Sequence, residues 1–96
     1  MTELRWAPEA IQDRLDIFDY ISQDNPSAAA RLDELFSQSA ASLTTQPMLG
    51  KTGLIAGTRE LIPHPSYRLV YEIVGDIVWV LAIVHTARRW PPAGLE

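Results

Sequence analysis

The sequence predicts an α+β domain in which two helices cover one face of a mainly antiparallel sheet, in the order β-α-α-β-β-β. Three observations predict it. Two amphipathic helical segments separated by a short break fill the first half of the chain. Two runs rich in β-branched and aromatic residues, Tyr67–Val74 and Ile77–His85, are separated only by Gly75-Asp76 in the second half. One face of the hairpin that these runs form carries no charge, and two amphipathic helices supply the layer it needs for burial.

In chain order, Glu3–Ala7 is a short candidate strand in which Leu4 and Trp6 alternate with Arg5. Pro8 suits the first helical position, where a missing N–H costs nothing, and Glu9 favours the same end of the helix dipole. From there Ile11, Leu15, Phe18 and Ile21 recur at helical spacing and form the expected apolar face, with Asp13, Asp16 and Asp19 mostly on the solvated side. This predicts a helix over Pro8–Ser22. Asp24-Asn25-Pro26-Ser27 stops one helix and starts the next, with Asn25 as N-cap and Pro26 at N1. Ala28, Leu32, Leu35, Phe36, Ser39 and Leu43 mark the stripe of the second helix, expected to end near Thr45 before Pro47. The short break implies an antiparallel αα-hairpin. Met48–Gly57 contains three glycines and reads as an irregular stretch, placing Lys51 on a loop. Thr58–Ile62 is a short strand, and Pro63-His64-Pro65 connects it to the hairpin.

Gly75 opening a two-residue loop suits a II′ turn. Val74 then faces Ile77, Glu72 faces Trp79, Val70 faces Leu81, Arg68 faces Ile83 and Ser66 faces His85. Directly paired residues share a face. That register puts Arg68, Val70, Glu72, Trp79, Leu81, Ile83 and His85 on a mixed face. Tyr67, Leu69, Tyr71, Ile73, Val78, Val80, Ala82 and Val84 make the uncharged one. After His85 the chain runs through Thr86-Ala87-Arg88-Arg89-Trp90, and Pro91-Pro92 ends regular structure. Residues 1–92 read as one domain and 93–96 as a frayed tail.

Composition narrows the function classes. The 96 residues carry a net charge of −4 and no cysteine, which excludes disulfides, thiolate metal sites and cysteine nucleophiles. His64 and His85 lack metal-ligand spacing, so neither a metal nor another cofactor is expected. The sequence has no long apolar run for a membrane span and no signal-peptide core, and a cytoplasmic protein is expected. Charge is uneven along the chain: residues 1–48 carry eight acids against three arginines, whereas residues 49–96 carry five bases against four acids. A polyanion would therefore meet the second half.

The order of elements and several strings resemble the RelE/ParE superfamily of bacterial toxins from type II toxin–antitoxin modules. The residues that carry the resemblance are Asn25-Pro26 with the alanines that follow, Gly57-Thr58-Arg59-Glu60-Leu61, Tyr67-Arg68-Leu69-Val70-Tyr71, and His85-Thr86-Ala87-Arg88-Arg89-Trp90-Pro91. Together they span nearly the whole chain. The resemblance implies a toxin held inactive in a tight complex with a cognate antitoxin encoded beside it. RelE-like members cut messenger RNA on the ribosome without a metal, whereas ParE-like members inhibit DNA gyrase and lack a working nuclease site. Ribosome-dependent mRNA cleavage is the expected activity here, with gyrase inhibition as the alternative.

Metal-free RNA cleavage needs a base for the 2′-hydroxyl, cations for the charged phosphorane and an acid for the leaving oxygen. The resemblance puts Arg68 where RelE-like nucleases carry a phosphate-stabilising arginine, Arg88 or Arg89 near a second one, and Arg59 near a further basic position. His85 offers an imidazole able to act as acid or base near neutral pH. The catalytic candidates are therefore Arg68, His85, Arg88 and Arg59, with Arg89, Trp90, Trp79 and Lys51 on the target surface. Structural roles compete with each. Arg68 can pair across the sheet with Glu60 or Glu72, His85 can be a hydrogen-bonded strand-end residue, and Trp79 and Trp90 suit a protein interface. The net acidity and single lysine count against a ribosome-docking nuclease, and the HTARRWP ending resembles ParE-like sequences more closely.

Overall fold

Pro8 and Pro26 set the positions of the two helices. The computed structural model describes residues 2–88, 90 and 91. Its elements are β1 (Glu3–Trp6), α1 (Pro8–Ser22), α2 (Pro26–Ser42), β2 (Lys51–Thr52), β3 (Thr58–His64), β4 (Tyr67–Val74) and β5 (Ile77–His85). Ala7 is extended, as a residue before proline must be, and its amide donates to Val80 O at 2.9 Å. Asn25 caps α2 by accepting the Ala28 amide on its side-chain oxygen at 3.1 Å. The second helix stops at Ser42, three residues before the expected end. There the Ser42, Thr44 and Thr45 hydroxyls donate to carbonyls three residues back, and backbone bonds tighten to the same spacing.

The five strands form one sheet in the order β1-β5-β4-β3-β2. The first strand pairs parallel to β5, and the other pairs are antiparallel. Two details differ from the sequence expectation. Lys51-Thr52, expected in a loop, forms a two-residue edge strand against Arg59 and Glu60. The third strand runs on to His64, through an irregularity after Leu61 where Pro63 supplies no backbone donor.

The hairpin register corrects the most consequential expectation. From the turn to Tyr71 the pairs are those expected, Val74 with Ile77 through Tyr71 with Val80. The turn has positive φ at Gly75 and at no non-glycine residue, as a II′ turn requires. A β-bulge between Val70 and Tyr71 then shifts the ladder by one residue, so that Val70 faces Ala82, Leu69 faces Ile83, Arg68 faces Val84 and Tyr67 faces His85. An extra residue on one strand exchanges the two faces for everything beyond it. Ile83 and His85 therefore join Tyr67 on the helix side, and Ala82 and Val84 join Arg68 on the outer side. Arg68 and His85 do not share a face.

The core lies between the helices and the sheet. Ala10, Ala40, Leu43, Leu69, Tyr71, Val78 and Val80 form one buried cluster, and Phe36, Tyr67 and Ile83 form a second. Ala10 and Ala40 are fully buried, and their small side chains let each helix approach the sheet closely. The second helix and its C-cap residue bury much of the expected stripe, including Phe36 in the helix and Leu43 at the cap. The first turns differently: Ala10, Ile17 and Ile21 are more buried, while Ile11, Leu15 and Phe18 are exposed. Helical spacing alone could not choose between these neighbouring stripes, because the choice rests on how near the backbone comes to the sheet.

Candidate functional site

Arg68 stands on the outer sheet face beside Glu60 of β3. Its Nη1 donates to Glu60 Oε1 at 2.8 Å, and the Leu54 amide donates to Glu60 Oε2 at 3.0 Å. Glu60 is only 2 % exposed, and the Arg68 side chain 18 %. Both carboxylate oxygens are thus bonded away from bulk water, as a buried carboxylate needs. Arg68 Nε is buried without a hydrogen-bond partner among the described residues.

Arg59 has a different task. It pairs with Tyr71 across β3 and β4 and so projects to the helix side. Its Nε donates to Gly50 O at 2.9 Å and its Nη2 to Met48 O at 3.3 Å. Tyr71 completes the clamp: its hydroxyl donates to Pro47 O at 2.7 Å and accepts the Gly50 amide at 2.9 Å. A Cβ on Gly50 would come within 2.8 Å of Glu60 O and of the Tyr71 ring, so the chain comes this close only as glycine. Arg59 and Arg68 lie nine residues apart in sequence but on opposite faces of the sheet.

At the other end of the sheet His85 stands edge-on to Tyr67, with ring centroids 5.2 Å apart. Its Nδ1 accepts the Ala87 amide at 3.0 Å, and His64 Nδ1 accepts the Ser66 amide at the same distance. Each neutral ring therefore carries its proton on Nε2. The two rings, Ser66, Tyr67 and Arg31 border a cleft of about 420 Å³ floored by Ile21, Leu32 and Leu35. His85 also borders a depression shared with Arg88, Asp13, Asp16, Ile17 and Tyr20. There Asp13, read from sequence as part of a solvated face, accepts the Ile83 amide at 3.0 Å. It occupies the edge of β5 beyond the end of β1, a role visible only once the sheet order is known. Burial raises its pKa above the usual carboxylate value, against the opposing pull of the Ile83 amide.

The remaining candidates are scattered. Trp79 is on the outer face with the Arg5 guanidinium 5.7 Å from its ring. Trp90 is half-buried, with Nε1 buried and without a partner among the described residues. Lys51 is exposed on the edge strand, and Arg89 lies outside the described residues. The structure therefore groups His85 with Arg88, places Arg59 at the 47–50 loop and ties Arg68 to Glu60. The described residues hold no group of three or more histidine, aspartate or glutamate side chains suited to a metal. No described helix is long and apolar enough to cross a membrane.

The family model described as the ParE toxin of the type II toxin–antitoxin system, parDE, matches residues 4–90. The chain belongs to the ParE toxin family. It is 33 % identical over 89 residues to the putative toxin Y4kP of Sinorhizobium fredii, covering 92 % of both chains. It is 34 % identical over 88 residues to the toxin RelE2 of Caulobacter vibrioides, covering 92 % of this chain and 99 % of that one. Among solved structures, the chromosomal ParDE system of P. aeruginosa superposes with a TM-score of 0.77 at 20 % identity, over 88 % of this chain and 96 % of that one. The YoeB/ParE toxin of Agrobacterium tumefaciens does so with a TM-score of 0.61 at 17 % identity, over 88 % and 98 %. At these identities the superpositions establish the RelE/ParE-like fold alone. This ParE-family chain is a toxin of a type II toxin–antitoxin system.

Proposed function

We propose that this toxin acts by binding a protein target, as a ParE-like inhibitor of DNA gyrase in the cytoplasm, and that a cognate antitoxin holds it inactive in a tight complex. The observation that carries this reading is the dispersal of the cationic set. Cleavage of an RNA phosphodiester without a metal needs positive charge converging on one phosphate. Here Arg68 is ion-paired with a buried glutamate on one face, and Arg59 is spent on loop carbonyls on the other. A guanidinium bonded to a carboxylate offers a phosphate much less net charge than a free one. The net charge of −4 also disfavours docking on ribosomal RNA.

The test is a supercoiling assay with purified gyrase and purified toxin, beside a translation reaction containing ribosomes and a defined message. The expected result is loss of supercoiling with the message intact. Intact gyrase activity at stoichiometric excess of toxin would sink the proposal. Cleavage by A-site cuts would favour the alternative reading, an mRNA nuclease with the candidate set Arg68, His85, Arg88 and Arg59. The unpartnered Nε of Arg68 is the feature that keeps this alternative in view.

A further inference from the structure

Two histidines are held in matching states at one end of the sheet. His64 closes β3 and His85 closes β5, and their rings flank Tyr67 of β4 with centroids 6.0 Å and 5.2 Å from its own. Tyr67 is itself set edge-on against Phe36, 5.6 Å away between centroids. Each imidazole Nδ1 accepts a backbone amide two residues on, from Ser66 and from Ala87, both at 3.0 Å. The segments that supply these amides are tied together. The Thr86 amide donates to Ser66 O at 2.8 Å and its hydroxyl to Pro65 O at 2.9 Å. Both neutral rings therefore present Nε2–H, a donor with no partner among the described residues.

The cleft of about 420 Å³ that these rings border has a rim of donors over an apolar floor. Arg31 completes the rim, bonded to Ser27 Oγ at 3.1 Å and paired with no acid among the described residues. The other polar side chains on it are the Ser66 and Tyr67 hydroxyls, and no described carboxylate borders it. On a chain with twelve acids against eight bases that is a local reversal of charge. Ile21, Leu32 and Leu35 form the floor, so the cleft pairs an aliphatic surface with a few convergent polar groups, as small-ligand sites do.

We propose that this cleft binds a single carboxylate carried on an apolar body, with the carboxylate among Arg31 and the two histidine Nε2–H groups and the body on the floor. Donors to an ionised acceptor make the stronger class of hydrogen bond, and the aliphatic floor adds burial of the ligand's apolar surface. A polyanion fits less well. The depression beyond His85 holds Asp13 and Asp16, and the one beyond Arg31 holds Glu34. A nucleic-acid strand leaving the cleft on either side meets these acids, whereas a lone carboxylate does not. A free acyl carboxylate and the C-terminus of a peptide ending in an apolar residue share the chemistry. The inference concerns a ligand site and holds whichever target the toxin has.

The experiment titrates octanoate, octanol and inorganic phosphate onto the full chain while the histidine side-chain nitrogen resonances are followed by NMR. Octanoate is expected to bind at least about tenfold more tightly than either of the others and to move the Nε2 resonances of both His64 and His85. Arg31→Gln and His85→Gln are each expected to weaken octanoate about fivefold or more and to leave octanol unchanged. Both side chains are exposed, so melting temperature reports that the variants remain folded. A capped tripeptide ending in leucine, as free acid and as amide, separates the sources. A free acid that binds more tightly than octanoate, with the amide about tenfold weaker, assigns the cleft to a protein C-terminus; weaker binding of both assigns it to a free acyl acid. Equal affinity for octanoate and octanol would overturn the inference, as would tighter binding of phosphate or binding that leaves both histidine resonances in place.

Discussion

Replacing Glu60 by alanine should be among the most damaging single changes in this toxin. The carboxylate is 2 % exposed and accepts bonds from Arg68 Nη1 at 2.8 Å and the Leu54 amide at 3.0 Å. Its removal leaves a largely buried guanidinium without a counter-charge, and breaking such a pair from one side costs about 3–5 kcal/mol. The loss of the Leu54 partner adds to the same side, at about 1 kcal/mol. A domain of this size has a total stability of about 5–15 kcal/mol. At about 4–8 °C per kcal/mol, even the lower figure lowers the melting midpoint by more than about 10 °C. Urea and thermal melts of wild type, Glu60→Ala, Arg68→Ala and the double variant Glu60→Leu/Arg68→Met measure the terms. Each alanine variant should be strongly destabilised, and the double variant should recover most of the loss because an apolar pair of similar volume removes both charges together. Two single variants within about 0.5 kcal/mol of wild type would instead mark Arg68–Glu60 as an exposed pair that contributes little.

Other consequences follow from particular contacts. Gly50→Ala should destabilise by about 1–3 kcal/mol in a urea melt, because the added methyl meets Glu60 O and the Tyr71 ring at 2.8 Å. Tyr71→Phe should cost about 1–3 kcal/mol by the same measurement, since Pro47 O and the Gly50 amide lose their shared partner. Asn25→Ala should cost about 1 kcal/mol through loss of the α2 cap. Asp13 has a folded pKa raised above 3.8, chiefly by burial. The native state then holds its proton at pH values where the unfolded chain has released it. Its contribution is full below the unfolded pKa and is lost as pH rises through the folded one, opposite in sign to that of an ion-paired carboxylate. Stability of wild type minus that of Asp13→Asn, followed from pH 3 upward, should therefore fall across that interval; a difference that rises would contradict the assignment.

The sequence carried the elements more faithfully than the faces. Pro8, Asn25-Pro26 and Gly75-Asp76 are local signals with local causes, and the elements they mark begin or turn where expected. The RelE/ParE resemblance was legible from four strings, and it holds at the level of family and fold. The bulge opposite Val70 was not legible. Nothing in VWVLAIVH distinguishes the residue that drops out of register, and that residue decides which side His85 takes. The exposed stripe of α1 escaped for a related reason, since Ala10 draws that helix onto the sheet by being small. Glu60 was named as one of two possible partners for Arg68, but its burial depends on Leu54 and the 53–57 turn, whose path the sequence does not indicate. Asp13 needed the sheet order itself, because the Ile83 amide it accepts is open only where β1 has ended.

In the proposed function Arg68 holds the outer face together through Glu60 and takes no part in RNA cleavage. The most direct measurement is the toxicity and gyrase inhibition of Glu60→Leu/Arg68→Met, once melts show that it folds. This variant, which lacks the guanidinium altogether, is expected still to arrest growth and block supercoiling at close to the wild-type dose. A folded double variant that is harmless, while wild type cuts message on the ribosome, would contradict it.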